Sequence, residues 1–259
     1  METIILCGGK GTRIRSASDN MPKPMLNIGQ WPILWHIMKI YATYRYTDFI
    51  LALGYRSWTI KEFFLNYHAM RSDFTLTLCG DPAVEYHNGH QECGWKITFA
   101  ETGLDSLTGA RIKQAAQYVK DDYFMVTYGD GLADINIDEL VAFHKSHGKL
   151  ATVTGVTPPG RFGNLKVNGN NVTSFTEKPA DGGGLINGGF LVFNREVIDL
   201  MPGDQFLSLE GDFMEGLAAD GQLRMYHHPG FWQPMDTYRE YTHFNELWEA
   251  GDAPWKIWD

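Results

Sequence analysis

The residues best suited to chemistry are two aspartates and one lysine, far apart in the chain. Tyr128-Gly129-Asp130-Gly131 closes an apolar run, and the glycines leave room around the carboxylate. In an open parallel sheet, ligands bind outside the carboxyl ends of the strands. Asp130 is therefore expected at a ligand edge. A carboxylate there suits Mg²⁺, which takes one or two carboxylates and fills its other positions with substrate phosphates and water. The competing role is a cap for the next helix, but Asp134 and Asn136 stand closer to it. Asp236 lies in an aromatic stretch, 228–237, and precedes a helical pattern. It reads as a helix N-cap, a role compatible with holding a metal. Lys23 sits between Pro22 and Pro24. Each proline fixes its own φ and drives its predecessor toward extended backbone, which predicts a stiff, extended segment. A fixed ammonium suits phosphate charge. Taken alone, the motif also fits a solvated lysine on a proline-rich loop.

Leu6-Cys7-Gly8-Gly9-Lys10-Gly11-Thr12-Arg13 follows the first apolar run directly. Its glycines let backbone N–H groups approach a phosphate or a base, and Thr12 and Arg13 add a hydroxyl and a cation. A tight strand–helix turn without a ligand has the same composition. The turn lacks the Gly-x-x-x-x-Gly-Lys-Ser/Thr order of a Walker A loop. The second strand runs into Leu53-Gly54-Tyr55-Arg56, without the acidic residue that a dinucleotide fold sets on the ribose. That argues against a nicotinamide-dependent oxidoreductase. Glu177-Lys178-Pro179 and Ile186-Asn187-Gly188-Gly189 supply an acceptor, a cation and an amide. Such groups hold a phosphorylated polyol, although both segments also fit plain turns. His87, His90 and Cys93 have metal-like spacing but no second ligand pair, and chance explains them. His144 and His147, beside Lys145 and Lys149, read as a solvated helix face. No Gly-x-Ser-x-Gly nucleophile motif occurs.

Positioning these groups falls to alternating apolar segments. Runs at 3–6, 49–53, 123–127 and 150–157 read as buried strands, and 74–78 and 96–100 as two more. Helical spacing covers 33–41, 58–68, 109–120 and 137–147, and again 238–249. The polar segment 81–94 reads as a protruding hairpin or loop. Strands alternating with helices imply βαβ units, an α/β class and a mostly parallel sheet. Past 158 the texture changes to short strands (165–167, 172–176, 185–193) between glycine-rich turns, which predicts a smaller α+β part on the same sheet. No linker separates the halves, so one domain is expected, with a core over about 1–157 and the smaller part over about 158–259. Trp248, Trp255 and Trp258 read as anchors for the tail.

The chain has 259 residues, enough for a full core without staples. Lys and Arg number 22 against 31 Asp and Glu, a net charge of −9 that disfavours a sequence-independent nucleic-acid binder. No apolar stretch approaches the ~20 residues of a membrane span, so no membrane partner is expected. Three scattered cysteines do not make a disulfide framework, and Cys7 reads as a small buried residue. Together these features predict a cytoplasmic protein.

The order Leu-x-Gly-Gly-x-Gly-Thr-Arg, Pro-Lys-Pro-Met, Tyr-Gly-Asp-Gly, Glu-Lys-Pro and Asn-Gly-Gly-Phe resembles the sugar-phosphate nucleotidyltransferase family. Longer segments at 32–39, 120–122, 127–131, 158–163, 186–190, 228–237 and 253–256 are similar to its glucose-1-phosphate cytidylyltransferase branch. The resemblance implies a Rossmann-like core with a smaller sugar-binding part. It implies a reaction of CTP with α-D-glucose 1-phosphate, giving CDP-glucose and pyrophosphate with Mg²⁺ as cofactor, in the service of polysaccharide biosynthesis. By motif, Leu6, Cys7, Gly8, Gly9, Lys10, Gly11, Thr12 and Arg13 would cradle the nucleotide, with Thr108, Arg111 and Gly129 lining it. Lys23 would contact its phosphates, Arg13 would join Lys23 in catalysis, and Asp130 and Asp236 would hold the metal. Gly163, Glu177, Lys178, Asn187 and Gly188 would face the sugar phosphate. The branch also implies a homo-oligomer, typically a hexamer. The chain departs from the family's usual pattern at Met21, Asn164, 181–184 and Leu209-Glu210-Gly211-Asp212-Phe213. A different phosphorylated acceptor, or a non-catalytic nucleotide-sensing module, stays open beside this reading.

Overall fold

The computed structural model describes residues 1–10, 21–78, 83–158, 164–168, 171–176 and 184–258. In chain order its elements are β1 (Glu2–Leu6), a 3₁₀ turn (Lys23–Met25), β2 (Asn27–Ile28), β3 (Trp31–Pro32), α1 (Ile33–Thr43), β4 (Asp48–Leu53), α2 (Ser57–Leu65) and α3 (Tyr67–Arg71). Then come β5 (Phe74–Thr77), β6 (Ala83–Tyr86), β7 (Lys96–Glu101), α4 (Thr108–Ala115), a second 3₁₀ turn (Ala116–Tyr118), β8 (Tyr123–Tyr128), β9 (Gly131–Ala133), α5 (Ile137–His147) and β10 (Ala151–Val156). The remainder is β11 (Asn164–Asn168), β12 (Asn171–Thr176), β13 (Ile186–Asn194), α6 (Val197–Leu200), a π turn (Leu209–Phe213), α7 (Met214–Ala219), β14 (Leu223–His228), β15 (Trp232–Pro234) and α8 (Tyr238–Ala250).

Seven strands form one sheet in the order β14-β10-β13-β8-β1-β4-β7. Every neighbouring pair is parallel except the two made by β13, which runs antiparallel to both β10 and β8. The central strands read as unbroken apolar runs because both faces of the sheet are covered. Ile5, Phe49 and Leu51 pack in one core layer with α1, α5, Phe244 and Trp255. Ile4, Ile50 and Ala52 pack in the opposite layer with Ala110, Ile112 and Leu217. Ile4 and Ile5 are both fully buried, and burying one such side chain contributes roughly 1.5–3 kcal/mol. Among the described residues, no helix is long and apolar enough to cross a membrane.

The tail closes one face through aromatic contacts. Trp255 is fully buried, with Phe244 at 5.0 Å between ring centroids and Phe231 at 5.8 Å. His36 of α1 meets Trp248 edge-on at 4.7 Å. Its Nε2–H donates to Ile28 O at 3.0 Å, and Trp255 Nε1 donates to its Nδ1 at 3.4 Å. Both ring nitrogens are thus satisfied by a neutral imidazole, and burial pulls its pKa down to about 4. Gly29, at φ +61°, permits the close approach of Trp248: a Cβ there would stand 2.2 Å from the indole nitrogen.

Four expectations change. The helix expected over 58–68 breaks at Asn66, which turns to φ −94° and ψ 2° and donates to Glu62 O from both its backbone N–H and its side-chain amide. The strand expected at 185–193 in the smaller part instead crosses the middle of the main sheet, because its apolar run can be covered on both faces there. Strand β14 was not expected; it pairs only with β10 and its mixed, largely open surface leaves no apolar run to read. His144 is buried rather than solvated. Lys149 N–H donates to His147 Nδ1 and His147 Nε2–H to Thr152 Oγ1; the Thr152 hydroxyl donates to His144 Nδ1, and His144 Nε2–H to Asn194 Oδ1. That chain requires neutral rings, and burial lowers the His144 pKa to about 4.

Candidate active site

The ends of β1 and β8 lie side by side, and Gly129 N donates to Leu6 O at 3.1 Å. The sheet grows through β4 on one side of β1 and through β8 on the other. Such a reversal opens a crevice beyond the strand ends. The two glycine segments fit it by backbone approach. A Cβ at Gly129 would lie 2.6 Å from Leu6 O, and one at Gly8 would lie 2.1 Å from Arg111 Nη1. Cys7 is fully buried beneath this turn, and burial raises its thiol pKa, with the Asp130 charge adding to the effect. Gly9 and Lys10 are exposed, and Lys10 pairs with Asp105 at 2.7 Å.

Lys23 stands in a single 3₁₀ turn, not the extended segment that two prolines predict. Pro22 keeps its extended ψ of 143°, but Pro24 falls in the first turn, where its missing N–H is not needed. Met25 N donates to Pro22 O at 2.8 Å, which fixes the turn. From there the Lys23 ammonium reaches Asp130 Oδ2 at 2.6 Å and Asp236 Oδ1 at 2.7 Å. Burial opposes its charge, yet Asp130 and Asp236 outweigh burial and the Lys23 pKa rises.

The two aspartates meet through a short backbone ladder. β9 and β15 pair antiparallel, with Gly131 opposite Pro234 and Ala133 opposite Trp232. One step beyond, Met235 N donates to Asp130 O at 2.8 Å. Asp236 is not the N-cap it was expected to be. Thr237 caps α8 in a capping box with Glu240, whose carboxylate accepts from both Thr237 N and Asp236 N. Asn136 caps α5 in the same way that the competing assignment for Asp130 required. Neither aspartate side chain serves as a helix cap, and both meet Lys23 at the crevice.

A cleft of about 450 Å³ opens beside them, lined by Tyr128, Asp130, Gly131, Gly188, Gly189, Glu210, Trp232 and Asp236 among others. Asn187 donates to the Tyr128 hydroxyl at 3.3 Å, and Trp232 Nε1 to Gly188 O at 2.7 Å. Gly189, at φ +80°, is required: a Cβ would meet the Tyr128 ring at 2.2 Å. The Tyr128 hydroxyl donates to Glu210. Glu210 also accepts from Thr108 Oγ1 at 2.7 Å and Ser208 Oγ at 3.1 Å. Burial opposes the Glu210 charge, but these donors hold its pKa below the usual value; burial and Glu210 together raise that of Tyr128. Arg111 is buried, with Nη1 donating to Leu53 O, Thr102 Oγ1 and Gly103 O and Nη2 to Leu104 O. Its guanidinium is tied to the loop carbonyls under Gly8.

Of the sequence candidates, Lys23, Asp130 and Asp236 converge on one point, Gly188 lines the cleft beside the two aspartates, and Asn187 reaches it through the Tyr128 hydroxyl. Leu6, Gly8, Gly129 and Arg111 meet where β1 and β8 end, Cys7 is buried beneath them, and Thr108 donates to Glu210 of the cleft. Gly11, Thr12, Arg13, Gly163, Glu177 and Lys178 lie outside the described residues. Tyr128, Glu210 and Trp232 were not singled out. Tyr128 stood in a motif already read, and Glu210 in a stretch already marked as unusual.

A family model described as nucleotidyl transferase matches residues 2–249. A glucose-1-phosphate cytidylyltransferase of Salmonella typhimurium is 48% identical over 260 residues, covering the whole of both chains. A probable glucose-1-phosphate cytidylyltransferase of Bacillus subtilis is 45% identical over the whole of both. The crystal structure of a putative glucose-1-phosphate thymidylyltransferase from Bacillus anthracis superposes with a TM-score of 0.70 at 20% identity, over 95% of this chain and 94% of that one. A match across the crevice-forming strands and both aspartates' segments leaves one assignment: the chain belongs to the nucleotidyl transferase family.

Proposed function

We propose that this enzyme transfers the cytidylyl group of CTP to α-D-glucose 1-phosphate, giving CDP-glucose and pyrophosphate. The observation that carries the reading is the full-length similarity, at 45–48% identity, to glucose-1-phosphate cytidylyltransferases. The site's chemistry agrees with it. A sugar phosphate has a second pKa near ~6 by analogy with phosphorylated side chains, so it is largely dianionic at neutral pH. It needs no general base to attack phosphorus. The obstacles are repulsion between anions and alignment of nucleophile with leaving group, and fixed cations with positioning address both.

In this reading the glycine turn after β1 carries the nucleotide, and Arg13 joins Lys23 in catalysis. Lys23 supplies positive charge to the phosphates. Asn187, Tyr128 and Glu210 orient the sugar phosphate, and Trp232 walls the cleft. Asp130 and Asp236 would hold Mg²⁺, and their donor set fits it. Two carboxylate oxygens already lie within 2.7 Å of one nitrogen. Among the described residues, no cluster of three or more His, Cys, Asp or Glu could hold a metal. The remaining positions would therefore come from phosphates and water, as Mg²⁺ prefers. When bound, the ion neutralises phosphate charge.

A cytoplasmic homo-oligomer completes the proposal. Phe74, Leu76, Val84 and Tyr86 on the exposed β5–β6 hairpin offer apolar surface to a second copy. The test is pyrophosphate release with Mg²⁺ across CTP, UTP, dTTP, ATP and GTP, each with and without α-D-glucose 1-phosphate. Release is expected with CTP plus glucose 1-phosphate. Release only with another sugar phosphate would replace the acceptor, and CTP binding without release under any pairing would favour a nucleotide sensor.

A further inference from the structure

The ammonium of Lys23 occupies the space between the two carboxylates proposed to hold the metal. It reaches one oxygen of each, at 2.6 and 2.7 Å, and only 13% of its side chain is exposed. We propose that Lys23 and the divalent cation are competitors for Asp130 and Asp236, so that Lys23 is the pair's resident counter-ion and not an organiser of a metal site. The inference rests on the metal reading above.

Backbone and side chain both suit an exchange. The turn carrying Lys23 is pinned: Pro24 and Met25 are buried, and Leu26 N donates to Lys23 O at 3.1 Å. The ammonium can therefore leave the aspartates only by rotation about its own side-chain bonds. A lysine suits this, being a point charge on a flexible stem with no fixed donor plane. Once displaced, it stays within a side-chain length of the carboxylates, in the cleft where phosphates must arrive. One residue then does two jobs in succession. It compensates two neighbouring like charges that would otherwise repel, and it turns to the phosphates when another cation takes that role.

The two roles open to Lys23 differ in sign. A competitor weakens metal binding to the free enzyme; an organiser strengthens it. The experiment titrates Mn²⁺ into nucleotide-free protein and counts the free ion by its paramagnetic resonance signal. It compares wild type, Lys23→Met, Lys23→Gln and the double variant Lys23→Met with Asp130→Asn. Competition predicts that both single variants bind Mn²⁺ roughly tenfold more tightly or better, because the cation no longer displaces a like charge. It also predicts that Mn²⁺ raises their melting temperature more than that of wild type. Asp130→Asn should abolish the gain. Lys23→Arg, which keeps the charge, should bind as weakly as wild type. Equal or weaker binding by Lys23→Met and Lys23→Gln would overturn the competition while leaving the metal assignment standing. A gain that survives Asp130→Asn would place the ion elsewhere, and the metal assignment would fall with the inference.

Discussion

The two ends of the cleft are built by different means. At one end, Asp130 and Asp236 are placed by backbone: the β9–β15 ladder, the Met235–Asp130 hydrogen bond and the capping box that occupies Thr237 and Glu240. At the other, Tyr128, Asn187, Glu210 and Thr108 are placed by one another through side-chain hydrogen bonds. A backbone ladder tolerates little movement, which suits groups that must meet phosphorus chemistry in line. A side-chain network can be retuned by single substitutions, which suits the recognition of one acceptor among many. In our reading the first end performs the transfer and the second reads the sugar.

The largest effect expected from breaking this division is at the ladder end. Asp130→Asn keeps the shape and removes the charge, and should lower kcat on the order of 10³-fold. Pyrophosphate release measured at saturating CTP and sugar phosphate checks it; near wild-type turnover would remove Asp130 from the chemistry. At the other end, Tyr128→Phe or Glu210→Gln should raise KM for the sugar phosphate about tenfold, the equivalent of one charge-assisted hydrogen bond, with KM for CTP little changed. Initial-rate kinetics with each substrate varied would separate the two.

Acid should attack the scaffold before the site. Lys23 has a raised pKa, Glu210 a lowered one and Tyr128 a raised one, so all three keep their charge states near neutral pH. His36 and His144, by contrast, are held neutral with pKa values near 4 against 6.5 when unfolded. A depressed folded pKa gives stability that is complete above the unfolded value and is lost as pH falls through the folded one. Each histidine should therefore cost about 1.4 kcal/mol per pH unit below 6.5, down to about 4. Thermal melts across that range should show the decline, and His144→Gln should flatten it. The smallest effect belongs to the cap. Thr237→Ala should cost about 1 kcal/mol in a denaturant melt and reduce kcat slightly, by loosening the residue next to Asp236.

How much of this was legible in the sequence depends on the range of the interaction. The helix at 137–147 and the strands around 3–6 and 49–53 are written in local periodicity, and the structure keeps them. Asp130 and Lys23 were legible because glycines and prolines mark their own surroundings. Glu210 was not, since its partners Tyr128 and Thr108 lie 82 and 102 residues away. His144 looked solvated because lysines flank it, while Thr152 and Asn194 arrive from β10 and β13. The central place of β13 likewise depends on strand order, which an apolar run does not specify.

The central claim, that the two ends have separate jobs, is tested most directly by discrimination. The measurement is kcat/KM for wild type, Asp130→Asn and Glu210→Gln, with CTP and UTP against glucose 1-phosphate and its epimers mannose and galactose 1-phosphate. The division predicts that Glu210→Gln narrows the preference among sugars and leaves CTP over UTP unchanged, while Asp130→Asn lowers every pairing by a similar factor. Uniform loss in Glu210→Gln, or a changed sugar preference in Asp130→Asn, would contradict it.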